Sequence, residues 1–182
     1  DARAHPVHAG KEQAAAELGA SCEGRGAAMA HVQSSAGAER PHTFDEWKDS
    51  VPGRIKGHQL WASLFYQKAL FLHDLCWFDC ESWFDDPRGR SIAGQIIRSC
   101  GSISANIEEG YGRGFGRDYA RFLSIAVASA RETQGWYMRA RHLMKAEVLQ
   151  HRLELCDEII AMIVPAIKTQ RQTNKPNLNA RE

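Results

Sequence analysis

The sequence predicts an all-α protein whose residues 57–171 form an antiparallel, up-down-up-down four-helix bundle. Apolar residues recur at steps of three and four along four stretches after Phe44, the spacing of helices with one buried face. Clusters of Gly, Pro and Asp separate those stretches, and no segment alternates polar and apolar residues as a half-buried strand does. Short connections between the stretches force neighbouring helices to run in opposite senses.

With 182 residues and a hydrophobic share of 43%, the chain can build one domain core. Ile, Leu, Phe and Trp are almost absent before Phe44. Residues 1–43, rich in Ala, Gly, Ser and His, cannot bury enough surface to offset the entropy of ordering. They read as disordered or as a non-native leader, the chain opening on Asp1 rather than Met. The stretch Phe44 to Gly57, with Trp47 and the turn signal Val51-Pro52-Gly53, is expected to be a linker. Residues 1–56 are thus leader and linker. Residues 172–182, which contain Pro176, are expected to be a disordered tail.

The first helix is expected from about His58 to Ser82. Trp61, Leu64, Phe65, Leu72, Leu75 and Cys76 recur at helical spacing, and Phe71, Phe78 and Trp83 widen the stripe. Asp85-Asp86-Pro87-Arg88-Gly89 reads as a turn in which Pro87 stops that helix. The second helix, about Ser91 to Gly110, lines up Ile92, Ile96, Cys100, Ile103 and Ile107, near-heptad steps that suit a bundle seam. Its other positions are mostly small, so a neighbour can approach closely, and Gly110 is placed at a left-handed cap. The third, about Arg117 to Leu143, aligns Tyr119, Ala126, Ala130, Tyr137 and Met144, flanked by Phe122 and Leu123. The fourth, about Glu147 to Gln170, aligns Leu149, Leu153, Cys156, Ile160, Ile163 and Ile167, and Pro165 is expected to kink or shorten it.

Several function classes find no support in these residues. No run reaches the roughly 18 uninterrupted apolar residues of a membrane span. The five cysteines, odd in number and irregular in spacing, suit reduced thiols in a cytoplasm better than a disulfide framework. The expectation is a soluble cytoplasmic protein with no membrane partner. His73, Cys76 and Cys80 share one face of the first helix, and Cys156 is the available fourth metal ligand. Buried cysteine as a small apolar residue is the more ordinary reading, so no metal or cofactor is expected. Asn106 and Glu109 lack a second acid, histidine or nucleophile at fixed spacing, which leaves acid–base chemistry without a partner. Glu109 is instead expected to pair with Arg113 one turn on. Neither Arg139 nor Arg141 precedes His142 at the Arg-x4–6-His spacing of a helical ribonuclease, and Arg98 and Arg113 have no following histidine within range. The glycines from Gly110 to Gly116 follow no strand and precede no Lys-Ser/Thr pair, so they read as a flexible interhelical turn rather than a phosphate-cradling loop. The protein is expected not to be an enzyme.

Charge is unevenly spread behind a net value of +1. The first helix carries Asp74, Asp79, Glu81, Asp85 and Asp86 against Lys68. From Arg88 to Lys145 the sign reverses: Arg88, Arg90, Arg98, Arg113, Arg117, Arg121, Arg131, Arg139, Arg141 and Lys145 face Glu108, Glu109, Asp118 and Glu132. All but one of these cations are arginine, the side chain suited to phosphate and to stacking. At about 100° per residue, Arg117, Arg121, Arg131 and Arg139 fall within roughly 80° of one another, opposite the aromatic-and-alanine line. The row extends about 33 Å along the axis, long enough to meet several phosphates. A solvated face is the bland alternative. A third possibility sets this row against the acidic first helix of a neighbouring subunit, orienting a head-to-tail ring.

The middle of the chain resembles a known family. Gln95-Ile96-Ile97-Arg98, then Ser102-Ile103, then Asn106-Ile107-Glu108-Glu109-Gly110-Tyr111-Gly112-Arg113 is similar to the signature of the four-helix bundle proteins encoded in 23S rRNA intervening sequences. Phe122-Leu123, Ala126, Ser129 and Glu132 fall where that family has Phe-Leu, Ala, Ser and Glu. The resemblance covers roughly residues 58–170. It implies a bacterial homopentamer of four-helix subunits with a basic surface for nucleic acid, RNA in the first place. It also implies kinship with the accessory variability protein of diversity-generating retroelements, and hence a reverse transcriptase as a further partner. On this reading Ser102, Asn106, Glu109, Gly110, Gly112 and Glu132 are the structural residues of the motif. Arg98, Arg113, Arg117, Arg121, Arg131, Arg139, Arg141 and Lys145 are the candidates for touching nucleic acid. The alternative function is a structural or protein-interaction module, such as a reverse-transcriptase accessory subunit, with the arginines used in subunit or partner contacts.

Overall fold

A computed structural model describes residues 40–173, and every regular element among the described residues is helical. Two short helices, α1 (Phe44–Ser50) and α2 (Gly53–Lys56), precede four long ones: α3 (Leu64–Glu81), α4 (Pro87–Gly112), α5 (Arg117–Arg139) and α6 (Ala146–Thr173). Single 3₁₀ turns lie at Gln59–Ala62 and Ser82–Asp85. The expected leader and tail fall largely outside the described residues, at 1–39 and 174–182, as does Cys22.

The segment expected as a linker is ordered by local chemistry. The Thr43 hydroxyl accepts from the Glu46 N–H at 3.2 Å while the Glu46 carboxylate accepts from the Thr43 N–H, a reciprocal cap on α1 that satisfies amides with no partner inside the helix. The helix then buries Trp47 against Phe44, Trp61 and Phe71, with ring centroids 5.4–6.1 Å apart. The indole N–H donates to Asp74 at 2.6 Å, so the ring is buried without leaving its polar atom unpaired. A composition-based reading missed this because the apolar residues of the stretch are too few for a stripe of their own.

The first long helix starts later than its pattern suggests. Ser63 breaks the chain between the 3₁₀ turn and α3, and Leu64, expected in the core, is 47% exposed. From Tyr66 onward the helix buries Ala69, Phe71, Leu72, Leu75, Cys76, Asp79 and Cys80. Pro87 begins a helix rather than stopping one. It occupies the first turn of α4, where its missing N–H costs nothing, behind Asp86, whose carboxylate accepts from the Arg88 and Gly89 amides at 2.8 and 3.4 Å. A methyl on Gly89 would stand 2.5 Å from the Trp83 carbonyl, so the close return of the chain requires glycine there.

Gly110 is not a cap. It lies inside α4, fully covered, where an added Cβ would stand 2.6 Å from Cβ of Phe122 and 2.9 Å from Tyr119. The left-handed conformations fall at Gly114 and Gly116, with φ of 97° and 96°, which form the α4–α5 turn. Gly112 meets nothing within 4 Å. The third helix ends at Arg139, short of its expected Leu143, which leaves Met144 half-buried beyond it.

Pro165 does not shorten α6, which runs on to Thr173, past the expected boundary at residue 171. The buried line of α6 is Arg152, Leu155, Cys156, Ile159, Ile163 and Ile167, whereas Leu149, Leu153 and Ile160 of the expected seam are half-buried at its edge. The α4 seam and the α5 line otherwise lie in the core as their spacing requires, with Ile92 half-buried.

The four long helices enclose one core. α3 packs on α4 and α6, and α5 packs on the same two. Polar pairs thread the contacts: Ser102 with Ser129 at 3.0 Å, the Thr133 hydroxyl donating to Ser99 at 3.1 Å, Gln134 to Asp157 at 2.7 Å, and Lys68 with Glu158 at 2.5 Å. No buried side-chain N or O among the described residues lacks a hydrogen bond, as expected of a core that carries polar groups without penalty.

Candidate nucleic-acid interface

The residues expected to touch nucleic acid are all exposed: Arg98 on α4, Arg113 after its end, Arg117, Arg121, Arg131 and Arg139 on α5, and Arg141 and Lys145 in the connection to α6. They do not share one state. Arg113 is held by Glu109, its Nη2 2.6 Å from the carboxylate, and its guanidinium lies 5.0 Å over the Phe122 ring. Arg139 lies 4.8 Å over Trp136, Arg98 donates to the Gln95 amide oxygen, and Arg141 donates to the Met138 carbonyl at 3.3 Å. Arg117, Arg121 and Arg131 are engaged in no ion pair among the described residues. Between Arg121 and Arg131 the exposed residues of α5 are Ile125 and Ala128.

The acids of α3 and of the turn that follows it are mostly committed elsewhere. Asp79 is buried and accepts from Arg152, from Arg40 and from the Tyr137 hydroxyl. Asp74 accepts from the Trp47 indole and Asp86 caps α4 while pairing with Arg88 at 2.8 Å. The Arg88 guanidinium and the backbone amides hold the Asp86 carboxyl far below the usual range. Glu81 and Asp85 make no ion pair among the described residues.

The motif residues support packing. Asn106 Nδ2 donates to the Ser102 carbonyl at 2.7 Å and to its hydroxyl at 2.9 Å, and that hydroxyl meets Ser129 across to α5. Glu132 accepts from the Trp136 indole at 3.2 Å. The expected Glu109–Arg113 pair is present, Gly110 permits the α4–α5 approach, and Gly112 carries no such constraint. Sequence reasoning missed Asp79–Arg152, although Arg152 stands three residues from Leu149 and four from Cys156, inside an apolar stripe.

The thiols of Cys76, Cys80, Cys100 and Cys156 are buried and form no disulfide. Burial pushes Cys156 up to about 12 and Cys100 well above its ordinary value, which keeps both protonated, a poor state for a nucleophile or ligand. Among the described residues no three His, Cys, Asp or Glu side chains are placed to hold a metal ion, and no helix is long and apolar enough to cross a membrane.

A family model described as "23S rRNA-intervening sequence protein" matches residues 63–165. A solved structure from Bacteroides thetaiotaomicron, described as a protein of unknown function from the S23 ribosomal protein family, is 23% identical and superposes with a TM-score of 0.54. The match covers 58% of this chain and 99% of that one, a likeness of fold. No curated protein matches.

Proposed function

This chain belongs to the 23S rRNA-intervening sequence protein family, and from that premise we propose that it is a non-enzymatic helical bundle that binds RNA through the exposed arginines of α5. The observation that carries the reading is the state of Arg117, Arg121 and Arg131: exposed along one helix, with no ion pair among the described residues. Unpaired guanidinium groups along one line suit a phosphate backbone, which rewards each neutralised phosphate by counterion release. The family's name ties it to 23S rRNA intervening sequences, which makes RNA the first polymer to test.

The four long helices are proposed to run up-down-up-down. In support, Ser99 and Ser102 of α4 meet Thr133 and Ser129 of α5, so numbering rises on one helix as it falls on the other. The same crossing recurs between α3 and α6, where Lys68 pairs with Glu158 and Asp79 with Arg152. A mobility-shift assay with a structured RNA tests the binding reading. Wild-type protein shifts the RNA at low salt, and replacing Arg117, Arg121 and Arg131 by alanine weakens the shift. An unchanged shift, or none for the wild type, contradicts it.

A protein-contact role is favoured by a different surface. Trp77 and Phe84 stand 60% and 45% exposed, close in sequence to Glu81 and Asp85, and aromatic residues are enriched at protein interfaces. A ring that used the acidic helix against the Arg row has only Glu81 and Asp85 of the five acids uncommitted. Light scattering in high salt checks it: a ring held by those charges falls apart, and apolar contacts through Trp77 persist.

A further inference from the structure

We propose that the end of the molecule around the α4–α5 turn binds an unpaired guanine nucleotide, its base edge in a cavity formed by Tyr66, Glu108, Tyr111 and Gln59 and a neighbouring base stacked on Phe115. The proposal rests on the RNA-binding reading above and adds to it which part of an RNA is recognised.

The open cavity has a volume of about 510 Å³, within the usual range for small-molecule sites, and Gln59, Tyr66, Glu108 and Tyr111 are among its lining residues. Its polar groups are half-satisfied in a complementary way. Glu108 accepts the Tyr66 hydroxyl at 2.8 Å on one oxygen, and its other oxygen has no hydrogen-bond partner among the described residues. Gln59 accepts the Tyr111 hydroxyl at 2.9 Å on its amide oxygen, and its NH₂ likewise has no partner among the described residues. Burial, and then the Glu108 carboxylate, push the Tyr66 hydroxyl well above its ordinary range, so it stays a donor.

A carboxylate oxygen and an amide donor open in one cavity suit a group that carries N–H donors together with an acceptor, and the carboxylate repels phosphate. Guanine presents two adjacent N–H donors on its Watson–Crick edge and a carbonyl beyond them. The other bases offer a carboxylate one such donor group. That edge is accessible only when the base is unpaired, the condition under which RNA bases are read by side chains.

The stacking platform adjoins the cavity through Tyr111. Phe115 is 67% exposed, yet its ring meets Tyr111 and Tyr119 edge-on at centroid distances of 5.8 and 6.2 Å. The two left-handed glycines on either side set its backbone, and the Gly116 N–H donates to Gln170 of α6 at 2.8 Å. An aromatic ring fixed from behind and open in front stacks a base with little loss of freedom. Arg117, two residues on in the chain and in no ion pair among the described residues, supplies charge for an adjoining phosphate.

The test compares three RNAs of equal length by fluorescence anisotropy: a hairpin with a six-nucleotide loop containing one guanine, the same hairpin with that guanine replaced by uridine, and a blunt duplex. Wild-type protein is expected to prefer the guanine loop over the duplex by at least about tenfold, as stacking and one base contact allow. Phe115→Ala removes most of that preference and leaves duplex affinity unchanged. Glu108→Gln keeps a partner for Tyr66 but loses discrimination between guanine and uridine. Equal wild-type affinity for loop and duplex overturns the proposal, as does a wild-type pattern in both variants. Arg121→Ala with Arg131→Ala lowers affinity for all three RNAs and keeps their order. If it leaves duplex affinity intact while the loop preference stays, the Arg row is wrong and this site stands. If the duplex binds without any loop preference, the reverse holds. No binding to any RNA overturns both.

Discussion

Arg152 and Asp79 face each other in the core through two parallel hydrogen bonds, Nε to Oδ2 at 2.7 Å and Nη2 to Oδ1 at 3.0 Å. Each is almost wholly buried, so the pair joins α3 to α6 where water cannot take the place of either partner. The Tyr137 hydroxyl donates to the same carboxylate from α5 at 3.2 Å, and Arg40 reaches it from outside α1. Three of the four long helices therefore meet at one carboxylate.

Removing Asp79 leaves the buried Arg152 guanidinium without a counter-charge, and removing Arg152 leaves Asp79 with the half-exposed Arg40 as its cation. Asp79→Ala and Arg152→Ala are each expected to cost about 3–5 kcal/mol in urea denaturation. The double variant Asp79→Ala, Arg152→Ala should cost clearly less than the sum of the single changes. Additive losses contradict the pairing.

Two glycines of the motif separate by their surroundings. Gly110→Ala forces its methyl into Phe122 and Tyr119 and should destabilise by about 1–3 kcal/mol. Gly112→Ala meets open space and should be neutral or stabilise by up to about 1 kcal/mol. Thermal denaturation of the two variants checks the contrast.

His151 gives a pH signature. Arg152 Nη1 donates to His151 Nδ1 at 2.6 Å, which requires the neutral imidazole. Burial and then the Arg152 charge lower the histidine below its ordinary value of 6.5. Its contribution is therefore present above pH 6.5 and is lost as pH falls through the lower folded value. His151→Asn should flatten stability against pH in that window, and NMR titration of the ring should give a midpoint below 6.5.

The segment Phe44–Gly57 should be needed by the fold. A chain starting at Gly57 loses Trp47 and uncovers Phe71 and Trp61, and burial lost on that scale costs several kcal/mol. Its melting temperature should drop measurably below that of a chain starting at Arg40, and equal values contradict the packing.

The helical periods were legible because each long helix carries enough apolar residues to show its own spacing, and α4 and α5 follow their expected faces. What stayed hidden depends on partners distant in sequence. Trp47 needs Phe71 and Asp74, and Arg152 needs Asp79 before its place in an apolar stripe makes sense. Gly110 looked like a stop because glycine after an apolar run often is one. Only the neighbouring Phe122 reveals it as a contact. The arginines were legible as a row, since a helix spaces them regardless of tertiary context. That Arg113 and Arg139 stack on rings while Arg117, Arg121 and Arg131 do not depended on the fold.

The central claim is that those three arginines meet phosphates, and the salt dependence of RNA affinity tests it most directly. Affinity for a structured RNA is measured from 50 to 300 mM salt for the wild type and for the Arg117→Ala, Arg121→Ala, Arg131→Ala variant. Each phosphate contact contributes roughly 0.7–0.9 to the slope of log affinity against log salt, so the variant should lose about 2 from the slope. Equal slopes for the two proteins would contradict the account.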